Sequence, residues 1–572
     1  MLSNNEYIIL CFLYYQNDKI TVRDNLVKDN IIITSALPYA NGEIHLGHIV
    51  STYLPADILS RFYRLLGKNV VFTCASDDFG TPILLQSEKQ NKTPEEYVKY
   101  WKDRDLKDFT DLGIMFDDFR NTSSKENIKL TQYFFNQIYK NDLIYRKEIN
   151  QLYCSTDKKY LPDRYVLGTC PYCKEDDQYS DGCEKCGRAF NHSEILKPIC
   201  AICKNEPVMK TSAHYFFKLS ALSDKLKSWL NNNDNLQKDV KNYVIRWIED
   251  GLNDWDITRD ISWGINIPLE EAEGKVLYGW FDNHLCYIST TVEHLNSKGI
   301  NGKEFWNNST IYHYIGKDIV YHHYLFLTAM RLAIDEEYKL PDFIPTRGHL
   351  MLQGEKFSKS RGMYIGLRGF LNDFPADYLR YYLTRITPYD QSDVNFDWDD
   401  FQVKINNELV ASIGNFVHRA LSFTNSKYNN IIPEPKEYDK DDRELIELIQ
   451  ESKNKVKENI EKNHVDRAMK DILDLSDGCN RYFQKKEPWK GNSENTIYLS
   501  INAVHNLGIL LYPFMPHSVV KLFSSMNIDE KTIDWNNSDQ LGIKPNHKIN
   551  KPEILFEKIE DKTISEQKEK LK

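Results

Sequence analysis

The chain has 572 residues, too long for a single hydrophobic core, and its size suggests roughly three or four domains. Hydrophobic residues make up 41% and charged residues 27%, the balance of a globular protein. The net charge of −10 excludes a protein that coats itself with nucleic acid, so any polyanion must be met by local basic patches.

Near the start, Tyr7–Tyr15 (YIILCFLYY) is too short to span a bilayer, which takes roughly 20 residues. It also lacks the basic flank and cleavage site of a signal peptide, so a cytoplasmic protein that meets no membrane is expected. Residues 30–36 (NIIITSA) form a β-branched strand pattern, followed by the turn Leu37-Pro-Tyr-Ala-Asn-Gly42. From Leu46 to Leu66 apolar residues recur at helical spacing, and Gly67 closes the run. Pro55 falls inside it and predicts a kink or strain. Asn69–Ala75 (NVVFTCA) is a second buried-type strand. The order strand, turn, helix, strand is the unit of a parallel doubly wound sheet.

Residues 94–146 read as helices, and strand and helix signals return at Val276–Trp280 and Ile311–Ile315. After Asp397 the texture is that of an all-α domain. Long charged helical patterns cover 401–426 and 441–521, separated by the loop Ile431–Tyr438. The last thirty or so residues, rich in Lys, Glu, Asn and Asp, read as a weakly packed tail.

Between these parts lies a cysteine-rich segment holding seven of the eleven cysteines. Cys170-x-x-Cys173 and Cys183-x-x-Cys186 each offer two thiolates to one ion, and together they complete a closed tetrahedral structural zinc site. Cys200-x-x-Cys203 is a third knuckle. Its partner would be Cys154-Ser-Thr-Asp157, and the segment leaves open whether this second site holds zinc or is empty.

Two short motifs carry the chemistry. In Ala36-Leu-Pro-Tyr-Ala-Asn-Gly-Glu-Ile-His-Leu-Gly-His48, His45 and His48 share one face of the first helical turn. A helix start at the C-terminal end of a strand attracts phosphate, and Gly47 lets a ring or a backbone approach. Lys356-Phe-Ser-Lys-Ser-Arg-Gly362 is a basic, hydroxyl-bearing loop that could grip a polyanion or simply be solvated surface.

The two motifs resemble the HIGH and KMSKS signatures of the class I aminoacyl-tRNA synthetases, and the fuller wording resembles their methionine-specific, archaeal-like branch. The resemblance runs from about residue 30 to 520. It implies an α/β fold: a class I Rossmann-type catalytic domain, a zinc-knuckle insertion and a C-terminal all-α anticodon-binding domain. The expected divisions are an N-terminal extension (1–29), the first catalytic half (30–149), the connective insertion (150–254), the second half (255–345), a KMSKS-type loop and linking domain (346–400), the helical domain (401–525) and a C-terminal extension (526–572). The implied activity is methionine–tRNA ligation driven by ATP with Mg2+, the partner being a tRNA with a CAU anticodon and not DNA.

By the same resemblance, His45, His48, Lys356 and Lys359 are catalytic. Tyr39, Asn41, Gly47, Asp318 and Lys359 would bind ATP. Leu37, Tyr39, Asp78, Trp280, Tyr287, Ile319 and His323 would hold methionine, with Asp78 on its ammonium. Arg259 would brace the site or form a structural ion pair, and His322 would be a core histidine. Asn415, Arg419 and Trp489 would read the anticodon, with Lys485, Lys486 and Lys490 offering charge to phosphates. The chain departs from the family at Phe357, where Met is usual, and at Asn283-His284, where Ala-Pro is usual. The second departure leaves another small amino acid, such as cysteine, as an alternative substrate. A decayed tRNA-binding protein is the other alternative.

Overall fold

The computed structural model describes residues 29–162, 165–180, 183, 185–186, 194–357 and 363–571. The run at 7–15 and Lys359 lie outside them. Five strands form the central sheet: β1 (Asn30–Ser35), β2 (Asn69–Ser76), β3 (Asp118–Asn121), β4 (Thr310–Gly316) and β5 (Thr346–Arg347). Their order is β5-β4-β1-β2-β3, all parallel. The chain runs outward from β1 to β3 and then re-enters at β4 on the other side of β1. The crevice at the C-terminal ends of β1 and β4 is therefore the topological switch point, where such sheets bind ligands.

Strand alternation divides the core. Ile31, Ile33, Phe72, Tyr312 and Tyr314 face one apolar cluster, and Ile32, Val71, Ile311 and Ile315 face another. The second is covered by the helices Lys125–Lys140 and Gly279–Ser297. The first continues without a break into the helical domain, through Leu445, Ile472 and Leu507. That domain is built on the helices Asn415–Tyr428, Lys440–Glu461, Val465–Lys486, Glu494–Leu511 and Pro516–Ser525.

Three expectations need correction. The stretch 94–146 contains strand β3 (DFRN) between two helices; its short polar sequence carries no strand signal, and pairing with β2 makes it one. The helix from Leu46 takes up Pro55 without a break in the run. Ile49–Tyr53 is a π-helical turn, Leu54 N–H bonds back to Ile49 O, and Pro55 follows in the α-helix Leu54–Leu65, so the distortion expected at the proline takes the form of a π turn within a continuous helical run. The C-terminal residues are not a loose tail. Ile549, Phe556, Ile559 and Ile564 are buried against the main core, and Asp561–Glu569 is helical.

The insertion is a long antiparallel hairpin, Ile144–Cys154 with Val208–Phe217, paired from Ile144 with Phe217 to Tyr153 with Val208. The cysteine knuckles sit at its far end.

A buried ionic node ties the catalytic and helical parts. Asp57 accepts from Arg61 Nε (2.8 Å), Arg380 Nη2 (2.7 Å) and Met115 N (2.9 Å), and Arg380 also donates to the Phe514 and Pro513 carbonyls (2.7 and 2.9 Å). Burial alone would raise the Asp57 carboxyl, but the two guanidiniums outweigh it and hold it below the ordinary carboxylate range. Its stabilising contribution is therefore present above the unfolded carboxyl's pKa and is lost as pH falls through the lower folded value. Asp57→Ala leaves the buried Arg380 without its carboxylate and is expected to lower stability by about 3–5 kcal/mol, read as a drop in the urea midpoint at neutral pH.

Candidate active site

The segment after β1 is fastened on two sides. Asp77 N–H donates to Pro38 O (2.8 Å) and Ala40 N–H to Asp77 O (2.9 Å), which join it to the end of β2. Leu46 N–H donates to Ile365 O (3.1 Å) and Leu367 N–H to Ile44 O (2.8 Å), which join it to the segment after the KFSKSRG loop. Between these clamps the His45 and His48 rings stack, centroids 3.7 Å apart, and His45 N–H donates to His48 Nδ1 at 3.2 Å. A Cβ at Gly47 would come within 3.0 Å of the His45 ring, so glycine there lets the imidazole fold over the helix start. Phe357 packs on His45 at 5.2 Å, so the unusual residue of the loop keeps an apolar contact with the first motif.

A cavity of about 810 Å3 opens at the switch point. Of the residues singled out in the sequence, Leu37, Tyr39, His45, Gly47, His48, Trp280, Tyr287, Asp318, Ile319 and His323 line it. Two predicted residues do not. Asn41 turns its amide oxygen to the Tyr97 hydroxyl (3.0 Å). Asp78 is buried beneath the wall and accepts from Ser76 Oγ (2.7 Å), Asn121 Nδ2 (3.0 Å) and Ser123 Oγ (2.6 Å). Its neighbour Asp77 faces the cavity instead. The backbone bridge between Tyr39 and Asp77 settles which of the paired aspartates reaches the wall. The side chain of Lys356 and all of Lys359 fall outside the described residues.

The far wall is aromatic and uncharged. His323 donates from Nδ1 to Ile319 O (3.0 Å), which fixes the tautomer and leaves Nε2 to accept the Tyr287 hydroxyl (2.9 Å). Burial pulls the His323 pKa down to about 4, so the ring is neutral. His322 packs against Trp280, ring centroids 3.8 Å apart, and burial takes it to about 3. His284 lies between Trp280 and His323, fully buried and held neutral by that burial. Arg259 lines the cavity, stacks over Tyr278 at 4.0 Å and reaches Asp256 at 3.6 Å.

Two side-chain clusters could hold metal ions. The sulfurs of Cys170, Cys173, Cys183 and Cys186 lie within 4.8 Å of one another, as do the ligand atoms of Cys154, Asp157, Cys200 and Cys203. A backbone N–H points at the first sulfur of each knuckle, from two residues on in Tyr172 to Cys170 and Ile202 to Cys200 (3.4 Å) and from three residues on in Cys186 to Cys183 and Asp157 to Cys154 (3.3 Å). Lys174, Lys204 and Lys158 follow with positive φ. The aspartate knuckle thus shares its donor spacing with the Cys183 knuckle.

On the helical domain, Asn415, Arg419 and Trp489 share a surface. Arg419 lies 5.9 Å from the Trp489 ring and 4.6 Å from Phe483, Asn415 bonds Asn480, and Trp489 is 44% exposed, unusual for so large an apolar ring. The lysines beside it are paired: Lys485 with Asp441, Lys486 with Asp439 and Asp442, Lys490 with Glu487.

Comparison with known proteins bears on this arrangement. Residues 31–421 match the family model of class I tRNA synthetases (M), and residues 432–572 match the anticodon binding domain of methionyl tRNA ligase. The methionine–tRNA ligase of Methanobrevibacter smithii is 41% identical over 95% of this chain and 82% of its own. That of Pyrococcus furiosus is 41% identical over 93% and 76%. The chain belongs to the class I methionyl-tRNA synthetases. The fold of this synthetase also matches the Mycobacterium tuberculosis methionyl-tRNA synthetase in complex with methionyl-adenylate, with a TM-score of 0.77 at 22% identity over 92% of this chain and 99% of that one. No helix among the described residues is long and apolar enough to cross a membrane.

Proposed function

We propose that the protein is an ATP-dependent methionine–tRNA ligase, which makes methionyl-adenylate and passes the aminoacyl group to the 3′-terminal adenosine of tRNA carrying a CAU anticodon, for initiation and elongation. The observation that supports this best is the cavity that brings a stacked His45–His48 pair at a helix start together with a neutral aromatic recess and the carboxylate of Asp77.

A thioether has no charge and no hydrogen-bond donor, so selectivity must come from shape and contacts to a polarisable sulfur. Leu37, Tyr39, Trp280, Tyr287, Ile319 and neutral His323 supply that surface. Asp77 takes the substrate ammonium, the role the motif had given to Asp78. The methionine carboxylate attacks the α-phosphorus; the new O–P bond forms as the bond to the β-phosphate breaks and pyrophosphate leaves. The protein aligns the groups and stabilises charge. His45 and His48 face the phosphates, Asp318 the ribose, and Lys356 and Lys359 follow the triphosphate. Mg2+ accompanies the nucleotide. Asn415, Arg419 and Trp489 read the anticodon by stacking and edge hydrogen bonds. Cys170, Cys173, Cys183 and Cys186 would hold one structural zinc ion, and Cys154, Asp157, Cys200 and Cys203 would hold a second.

ATP–pyrophosphate exchange tests the reading. It is expected with methionine and at most weakly with cysteine, leucine or homocysteine; preference for another amino acid would overturn the assignment. His48→Ala is expected to lower kcat about 100-fold or more. Trp489→Ala should leave exchange intact and cut tRNA charging about 10- to 100-fold in kcat/KM. Metal analysis should find two zinc ions per chain, falling to one in Asp157→Ala; one ion in both proteins would refute the second site.

A further inference from the structure

Asn283 stands where the family wording has an alanine, and the structure gives it a specific partner. It lies in the second turn of the helix Gly279–Ser297, one turn after Trp280 and one before Tyr287, and the three residues line the cavity from the same helix face. Asn283 is 3% exposed, and its Nδ2 donates to Asp77 Oδ2 at 2.7 Å. The other carboxylate oxygen, Asp77 Oδ1, is buried and has no partner among the described residues. No ion pair of Asp77 occurs among them either. The titratable groups around it are acids: Asp78 beside it, and Asp282 and Tyr287 from the same helix as Asn283.

A carboxylate so placed lacks a cation. Burial pushes the Asp77 pKa up to about 7, and Asp78 pushes the same way, while the Asn283 amide and, more weakly, the Phe79 backbone N–H oppose them. An alanine at 283 could neither orient the carboxylate nor favour its charged form.

We infer that Asn283 is a positioning residue for amino-acid recognition: its amide fixes the Asp77 carboxylate to receive the α-ammonium of the substrate. The inference rests on the ligase reading and adds a determinant that acts on the amino group alone. Its consequence for pH has a definite sign. Methionine binds the charged form of Asp77, so KM for methionine rises as pH falls through the Asp77 pKa. Without the amide that pKa is higher, so the rise begins at a higher pH.

The test compares wild type, Asn283→Ala and Asn283→Ser in methionine-dependent pyrophosphate exchange from pH 6 to 9. Inhibition by 4-(methylthio)butanoate, which has the thioether and carboxylate but no amino group, is measured beside it. For Asn283→Ala the expected result is a KM raised about 10- to 100-fold at pH 7, the loss of one hydrogen bond to a charged group. The acid limb of KM should move to higher pH, inhibition by the amine-free analogue should match wild type, and Asn283→Ser, with a shorter donor, should recover part of the loss. An unchanged KM and acid limb would overturn the inference. So would an equal loss of affinity for methionine and for the analogue, which marks a change of pocket shape. Wild type with no methionine-dependent exchange would overturn the ligase reading and this inference together, whereas an active wild type with an indifferent variant overturns this inference alone.

Discussion

The site depends on four backbone hydrogen bonds that hold the segment after β1 between the end of β2 and the segment after the KFSKSRG loop. A loop at the end of a parallel strand has no sheet partner of its own, and its buried N–H and C=O groups must be satisfied somewhere. Here they are satisfied by the end of β2, which also furnishes Asp77, and by the segment that follows the loop holding Phe357. The same bonds that make the turn stable therefore place the stacked histidines, the carboxylate and the base of the basic loop around one cavity. Gly80 belongs to this clamp. Its φ of +120° suits glycine, and a Cβ there would collide with the Tyr39 hydroxyl.

The helical domain is bound to this centre by more than apolar area. Asp57, two residues after Pro55 in the helical run that His45 and His48 begin, pairs with Arg380 of the linking segment, and Arg380 donates to carbonyls ahead of the helix Pro516–Ser525. At the other side Tyr314, the penultimate residue but one of β4, donates to Asn463 between two long helices of the anticodon domain, and Arg347 of β5 donates to the same residue's carbonyl at 2.8 Å. Asn463 takes a positive φ, which Asn tolerates better than most residues. Strand ends that border the cavity are thus joined to the domain that carries Trp489.

Much of this was legible in the chain. The β-turn-α-β start, the paired C-x-x-C units and the two motifs each depend on local spacing, and local spacing survives folding. What was not legible depended on long-range partners. β3 has no apolar run and becomes a strand through β2. The C-terminal residues look solvated in composition, yet five or so apolar side chains at wide intervals suffice to dock them. The choice between Asp77 and Asp78 turns on strand pairing with Tyr39, which no count along the motif supplies. Asn283 stood out in the sequence only as a departure; its meaning needed the carboxylate 206 residues away.

The chemistry follows from this division. One wall of the cavity is neutral and aromatic because burial holds uncharged both His323, which lines it, and His284 and His322, which pack against Trp280. Asp77 reaches the cavity wall while its neighbour Asp78 is spent on hydrogen bonds within the protein, and on the proposed reading it is Asp77 that meets the substrate ammonium. The most direct test is methionine binding measured by calorimetry at pH 8 for Asp77→Asn and Asp78→Asn. The account predicts that Asp77→Asn loses methionine affinity by about 100-fold while remaining folded, a charge-assisted contact removed, and that Asp78→Asn binds methionine within a few-fold of wild type. Lost binding in Asp78→Asn with Asp77→Asn unaffected would contradict it.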